Sequence, residues 1–77
     1  MNKPRRKELE RALELIGRAR DIIEACRDDE QDALWNLPES FQESERGEQM
    51  QEYIDSMDDS ITGIDDAVES LNDIVKG

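Results

Sequence analysis

The chain has no histidine and a single cysteine, Cys26, and these two gaps remove more chemistry than any motif adds. A lone cysteine closes no intrachain disulfide, and without histidine it has no companion for a zinc site. Nucleophilic catalysis by a cysteine or serine paired with histidine is equally out of reach, and the serines fall mainly at turns or solvent-facing positions. The sequence therefore predicts no enzymatic activity and no cofactor, with Cys26 a small buried hydrophobe. Aromatic residues make up only 4% of the chain. No apolar run approaches the ~18 residues that a membrane span requires. The opening Met1-Asn2-Lys3-Pro4-Arg5-Arg6 is basic but is followed by no hydrophobic stretch, so a cytoplasmic protein with a reduced thiol is expected.

What the chain has in quantity is charge. Charged residues account for 40% of it and the formal net charge is −11. That balance disfavours nucleic acid and anionic membranes as partners, because phosphate binding needs cations at the contact, and it favours a protein partner with a basic surface. The charge is unevenly spread. Residues 1–27 hold eight Lys and Arg against five Asp and Glu, whereas residues 28–77 hold two against sixteen.

A composition this polar borders on that of disordered chains, but the apolar residues of the second half keep strict time. Met50, Ile54, Met57, Ile61, Ile64, Val68, Leu71 and Val75 are spaced alternately four and three apart. That is a coiled-coil seam with Ile54, Ile61, Val68 and Val75 at a and Met50, Met57, Ile64 and Leu71 at d. The f positions opposite the seam, Glu52, Asp59, Asp66 and Asp73, are all acidic.

The first half predicts a helix over about residues 4–36, opened by Pro4 in the first turn. Its apolar positions are Leu9, Ala12, Leu13, Ile16, Ala19, Ile23 and Cys26, and Leu15, Ile22 and Ala25 widen the stripe on one side. Asn36-Leu37-Pro38 then breaks the pattern, because a residue before proline is pushed out of helical geometry. A bend over 37–43 follows, with a short helical turn at 38–43. Ser40-Phe41-Gln42-Glu43 fits a capping box and Ser44 offers a second cap, so the second helix, about 44–76, has two possible starts.

Two helices of similar length suit an antiparallel hairpin, which predicts Leu9 near Leu71, Ile16 near Ile64, Ile23 near Met57 and Cys26 near Ile54. Ile61 and Ile64 then mark the centre of the seam. Gly47, at an a position, would leave room for Leu34 or Trp35, with Trp35, Leu37 and Phe41 plugging the closed end. The basic start, Lys3, Arg5, Arg6, Lys7 and Arg11, would lie beside Asp65, Asp66, Glu69 and Asp73. A single 77-residue domain built as one two-helix layer buries little, so the predicted fold is an all-α hairpin that dimerises into a four-helix bundle.

Two surfaces are candidate sites. The acids Glu52, Asp55, Asp59, Asp66, Glu69 and Asp73 fall three or four residues apart within two groups of three along one helix, seven residues separating Asp59 from Asp66, and the short spacing of ~5–6 Å is comparable with that of successive phosphates. They would meet a partner rich in Lys and Arg, or would serve as a solvated face that keeps the protein soluble. Leu15, Ile22, Ala25, Tyr53, Ala67 and Ile74 form the expected oligomer interface. The acidic stretches Asp28-Asp29-Glu30-Gln31-Asp32 and Asp58-Asp59 fit no calcium loop, since neither combines the glycine and the closing glutamate at the required positions, and no metal site is expected.

The segment Asp29-Glu30-Gln31-Asp32-Ala33-Leu34, then Asn36-Leu37-Pro38-Glu39-Ser40, then Ser44-Glu45-Arg46-Gly47-Glu48 resembles a stretch found in small acidic α-helical proteins encoded by phages and prophages of Gram-positive bacteria. The resemblance covers the bend and the start of the second helix, and it implies a mobile-element setting in a bacterial host cell without implying an activity. The expectation drawn from all of this is a non-enzymatic module that binds and modulates a host protein. The alternatives are an acidic nucleic-acid mimic that inhibits a host defence nuclease, and a purely structural or assembly bundle.

Overall fold

The computed structural model describes all 77 residues, most of them in three helices: α1, Lys3–Trp35; α2, Glu39–Gln42; and α3, Glu45–Lys76. The two long helices each start at a capping side chain. The side chain of Asn2 accepts from the backbone N–H of Arg5 at 3.0 Å and Pro4 occupies the first turn, where its missing N–H costs nothing. Ser44, the second of the two possible caps, opens α3 by accepting from the N–H of Gly47 at 3.5 Å while its hydroxyl donates to the carbonyl of Phe41.

The bend is held mainly by backbone and one side chain. The carboxamide of Gln42 donates to the carbonyls of Leu37 at 2.8 Å and Trp35 at 3.4 Å, partnering acceptors that the end of α1 leaves open. Gly47 is buried for a reason other than the expected one. A Cβ there would stand 2.1 Å from the carbonyl oxygen of Gln42, so its missing side chain admits the backbone of α2 and not Leu34 or Trp35. Trp35 and Phe41 do not plug the closed end either; both are more than half exposed. Leu37 alone of the three packs inward, against Leu34, Met50 and Ile54.

The two long helices run antiparallel in a molecule of 58 × 15 × 13 Å, one long helix in length and two in width. Direction and register follow from two ion pairs, Arg20 to Asp65 and Arg27 to Asp58, since seven residues forward on α1 match seven back on α3. This register lies about one helical turn from the expected one. Ile54 clusters with Leu34 and Met50 and not with Cys26, which is exposed.

The α3 seam is as its heptads require. Met50, Ile54 and Ile61 are buried, the other five seam residues are half-buried, and every f-position acid is exposed. The α1 seam differs from expectation. Leu9, Leu13, Ile16, Arg20, Ile23, Arg27, Glu30 and Leu34 face α3, alternately four and three apart, while Ala19 is exposed. Arg20 and Arg27 thus hold places where the expectation had small apolar residues. With two arginines and Glu30 on the α1 side, the centre of burial moves from Ile61 and Ile64 to Leu34, Met50 and Ile54 at the closed end.

Two consequences can be measured. Ile54→Ala, at a residue only 2% exposed, should destabilise the fold by ~2–5 kcal/mol in denaturant titrations, against under ~0.5 kcal/mol for Asp59→Ala. Gly47→Ala should lower the melting midpoint because the added carbon meets α2 backbone, whereas Gly17→Ala, where a Cβ meets nothing within 4 Å, should stabilise by ~0.4–1 kcal/mol.

Candidate functional site

The ion pairs and the heptad positions divide the hairpin surface into three zones. On one broad face lies a ladder of charge. The Arg20 guanidinium grips Asp65 with two parallel hydrogen bonds, Nε to Oδ1 at 2.6 Å and Nη2 to Oδ2 at 3.1 Å, and gives Nη1 to Glu24 at 2.6 Å. Arg27, seven residues on, divides its bonds the other way, with Nη1 crossing to Asp58 at 2.8 Å and Nε and Nη2 both donating to Oδ1 of Asp28 at 3.2 and 3.1 Å. Each arginine lays its aliphatic stem along the seam and brings its head out to the rim, so a cation is accommodated at an inward position without being buried.

These bonds raise both guanidinium pKa values, through the hydrogen bonds to Asp65 and to Asp58 first of all. The Asp65 carboxyl is held below its ordinary value by the hydrogen bond from Arg20, against a smaller opposing effect of desolvation. The pairing is not where the charge distribution predicted it. No cation of the basic start reaches α3; Arg11 pairs instead with Glu8 on its own helix, and the helix-to-helix bonds are made by Arg20 and Arg27.

The second zone is the outer edge of α3. Glu52, Asp55, Asp59, Asp66, Glu69 and Asp73 are all exposed and none has an ion-pair partner, Asp55 alone accepting a hydrogen bond, from Gln51 at 2.9 Å. Only Asp58 and Asp65, next to the seam, are neutralised from α1. The structure brings the six predicted acids onto one edge as an uncompensated line.

The third zone is the broad face opposite the ladder. A shallow groove there joins Cys26 on α1 to Tyr53, Ser56 and Met57 on α3, with Asp29 and Glu30 toward its bend end. From Ala12 to Cys26 the α1 stripe on this side is Ala12, Leu15, Ala19, Ile22 and Cys26, and its α3 counterpart from Tyr53 to Ile74 is equally free of charge. Leu15, Ile22, Tyr53 and Ile74 are 54%, 65%, 50% and 42% exposed. Of the predicted interface residues these four and Ala67 share the face, while Ala25 sits on the outer edge of α1 beside it.

No three Cys, Asp or Glu side chains converge to hold a metal ion, and no helix is long and apolar enough to cross a membrane. Comparison with protein-family models, with curated proteins and with solved structures gives no match.

Three residues that organise these surfaces were missed from the sequence. Arg20 and Arg27 stand at heptad spacing from Leu13 and Leu34, a signal that becomes legible once the seam is drawn through them. Gln42 gives no such signal, because its role depends on carbonyls presented by the bend.

The Arg20–Asp65 bond has a pH signature. The carboxyl is depressed in the fold, so its contribution is complete above the ordinary carboxylate pKa of about 4 and is lost as the pH falls through the lower folded value. Asp65→Asn should therefore melt below the unaltered protein at neutral pH, and the gap should close as the pH is taken well under about 4. A gap that stays constant with pH would show that the bond contributes nothing through its charge.

Proposed function

We propose that this chain is a non-enzymatic protein-interaction module whose docking site for a basic protein surface is the outer edge of α3. The observation that carries the reading is the unpaired line of Glu52, Asp55, Asp59, Asp66, Glu69 and Asp73 on a rigid helix, in a protein whose two helix-to-helix cations, Arg20 and Arg27, are held by Asp65 and Asp58 instead. A rigid row of anions recognises Lys and Arg by position as well as by sign, and gives fast, salt-sensitive association. In this reading the hairpin is one half of a four-helix bundle. The sequence resemblance at the bend supplies the setting: a mobile-element protein acting in the cytoplasm of a bacterial host and modulating a host protein.

One alternative has its own support. The acids recur every three or four residues within Glu52–Asp59 and again within Asp66–Asp73, two short rows that could stand in for a nucleic-acid backbone and occupy the binding site of a defence nuclease. A helical bundle with a purely structural or assembly role is the remaining reading, and it is the one that makes no use of the acidic edge.

Capture from a Gram-positive host lysate, followed by titration of the identified protein against purified module, tests the reading. Glu52→Lys, Asp55→Lys and Asp59→Lys together should abolish binding with helix content unchanged, and binding by the unaltered protein should weaken steeply between about 0.05 and 0.5 M salt. Unchanged affinity of the reversed variant would overturn the proposal. Displacement of nucleic acid from the captured protein would select the mimic.

A further inference from the structure

Building on the reading of the hairpin as half of a bundle, we infer which face a second copy covers and how the two copies are oriented. The occupied face is the uncharged one carrying Leu15, Ile22, Tyr53 and Ile74, and the two-fold axis runs parallel to the helices, so that both bends lie at the same end and α1 of each copy covers α3 of the other.

Area comes first. The chain exposes 5862 Å². A compact monomer of 8.9 kDa would expose about 4,800 Å², so the hairpin leaves roughly 1,000 Å² more in water than its mass warrants, and about 800 Å² per partner is what a stable complex covers. The excess has an address. Of the seven large hydrophobics left exposed, four lie on this one face, in a chain of which 40% is charged yet whose face carries no charge over two long helical stripes.

Size and charge then choose the orientation. On this face α1 carries the bulky Leu15 and Ile22, whereas the middle of α3 carries Ser60, Gly63 and Ala67. A two-fold axis along the helices lays α1 over the partner's α3 and allows no sliding, so the register inside the hairpin fixes the register between copies. Ile22 then falls at the height of Ser60 and Gly63, and Leu15 at the height of Ala67 and Ser70. Gly63 is where the structure has open space, since a Cβ there meets nothing within 4 Å and nothing within the hairpin calls for a glycine.

The outer edges agree. In this arrangement the exposed Arg18 and Arg11 on the edge of α1 come level with Asp66 and Asp73 on the edge of the α3 stacked against it. The other symmetric arrangement, with the axis across the helices, stacks α3 on α3. Each α3 holds ten Asp and Glu against two Lys and Arg, so that stacking sets two acidic edges side by side and leaves Leu15 and Ile22 facing their own kind. The arrangement we infer offsets the open-end acids and leaves Glu52, Asp55 and Asp59 of both copies uncovered at the bend end, giving one assembly two docking edges for a basic partner.

The test uses the whole chain with one reporter. Cys26→Ser with Glu43→Cys places a single spin label at each bend. Sedimentation at micromolar concentration should give twice the monomer mass, and the label-to-label distance should be about two helix diameters, ~20–25 Å. A distance near the 58 Å length of the molecule would overturn the orientation while leaving self-pairing in place, and monomer mass would overturn self-pairing itself. Neither result depends on whether the acidic edge binds a host protein. Ile22→Gln and Gly63→Gln, both at open positions on exposed helix surface, should each return the mass to that of the monomer and lower the melting midpoint, since the folded state loses its partner. Persistence of the dimer in both variants would rule out this face.

Discussion

The governing constraint is that two helices side by side enclose almost nothing. Of 77 residues only Leu34, Met50, Ile54 and Ile61 form a buried hydrophobic core, and three of these four are gathered at the closed end. Every other apolar residue of the seam is shared with water along one flank. Such a layer is stable only to the extent that its remaining surfaces find a use, and the three zones of the hairpin are three answers to that demand. One broad face is satisfied by arginine ladders, the outer edge of α3 is left acidic, and the opposite broad face is left apolar.

Charge placement and the closed-end core of Leu34, Met50 and Ile54 agree on how the two helices align. Heptad seams alone tolerate a slip of one turn, since an apolar residue meets an apolar residue either way. Arg20 and Arg27 favour one register, because each reaches a particular carboxylate seven residues from the next. The same choice explains the lopsided electrostatics: the cations nearest α3 are held by Asp58 and Asp65 beside the seam, and the acids farther out receive no compensation.

Much of this organisation could be read from the residues. The α3 heptads, the acidic f positions, the break at Asn36-Leu37-Pro38 and the cap at Ser44 are local patterns, and the structure realises them locally. The face that α1 turns inward was harder to read because α1 carries two competing stripes at heptad spacing. One runs through Leu9, Leu13, Ile16 and Ile23, the other through Ala12, Leu15, Ala19, Ile22 and Cys26, and in the sequence their union reads as one wide seam. Packing separates them: the first, completed by Arg20 and Arg27, faces α3, and most of the second faces outward, which is why Cys26 is exposed. Gly47 and Gln42 were illegible for a different reason. Gly47 admits the backbone of α2 against α3 and Gln42 reaches the carbonyls of Trp35 and Leu37 at the end of α1, contacts with no periodic signature.

The central claim is that the hairpin is an incomplete core whose stability depends on a second surface. Thermal melting followed by helix signal over a hundredfold range of protein concentration tests it most directly. If the uncharged face is covered in the native assembly, the midpoint rises steadily with concentration, because association draws on the folded state alone. A sharp cooperative transition whose midpoint is the same at every concentration would contradict the account, showing that one hairpin with four buried hydrophobic residues is stable by itself.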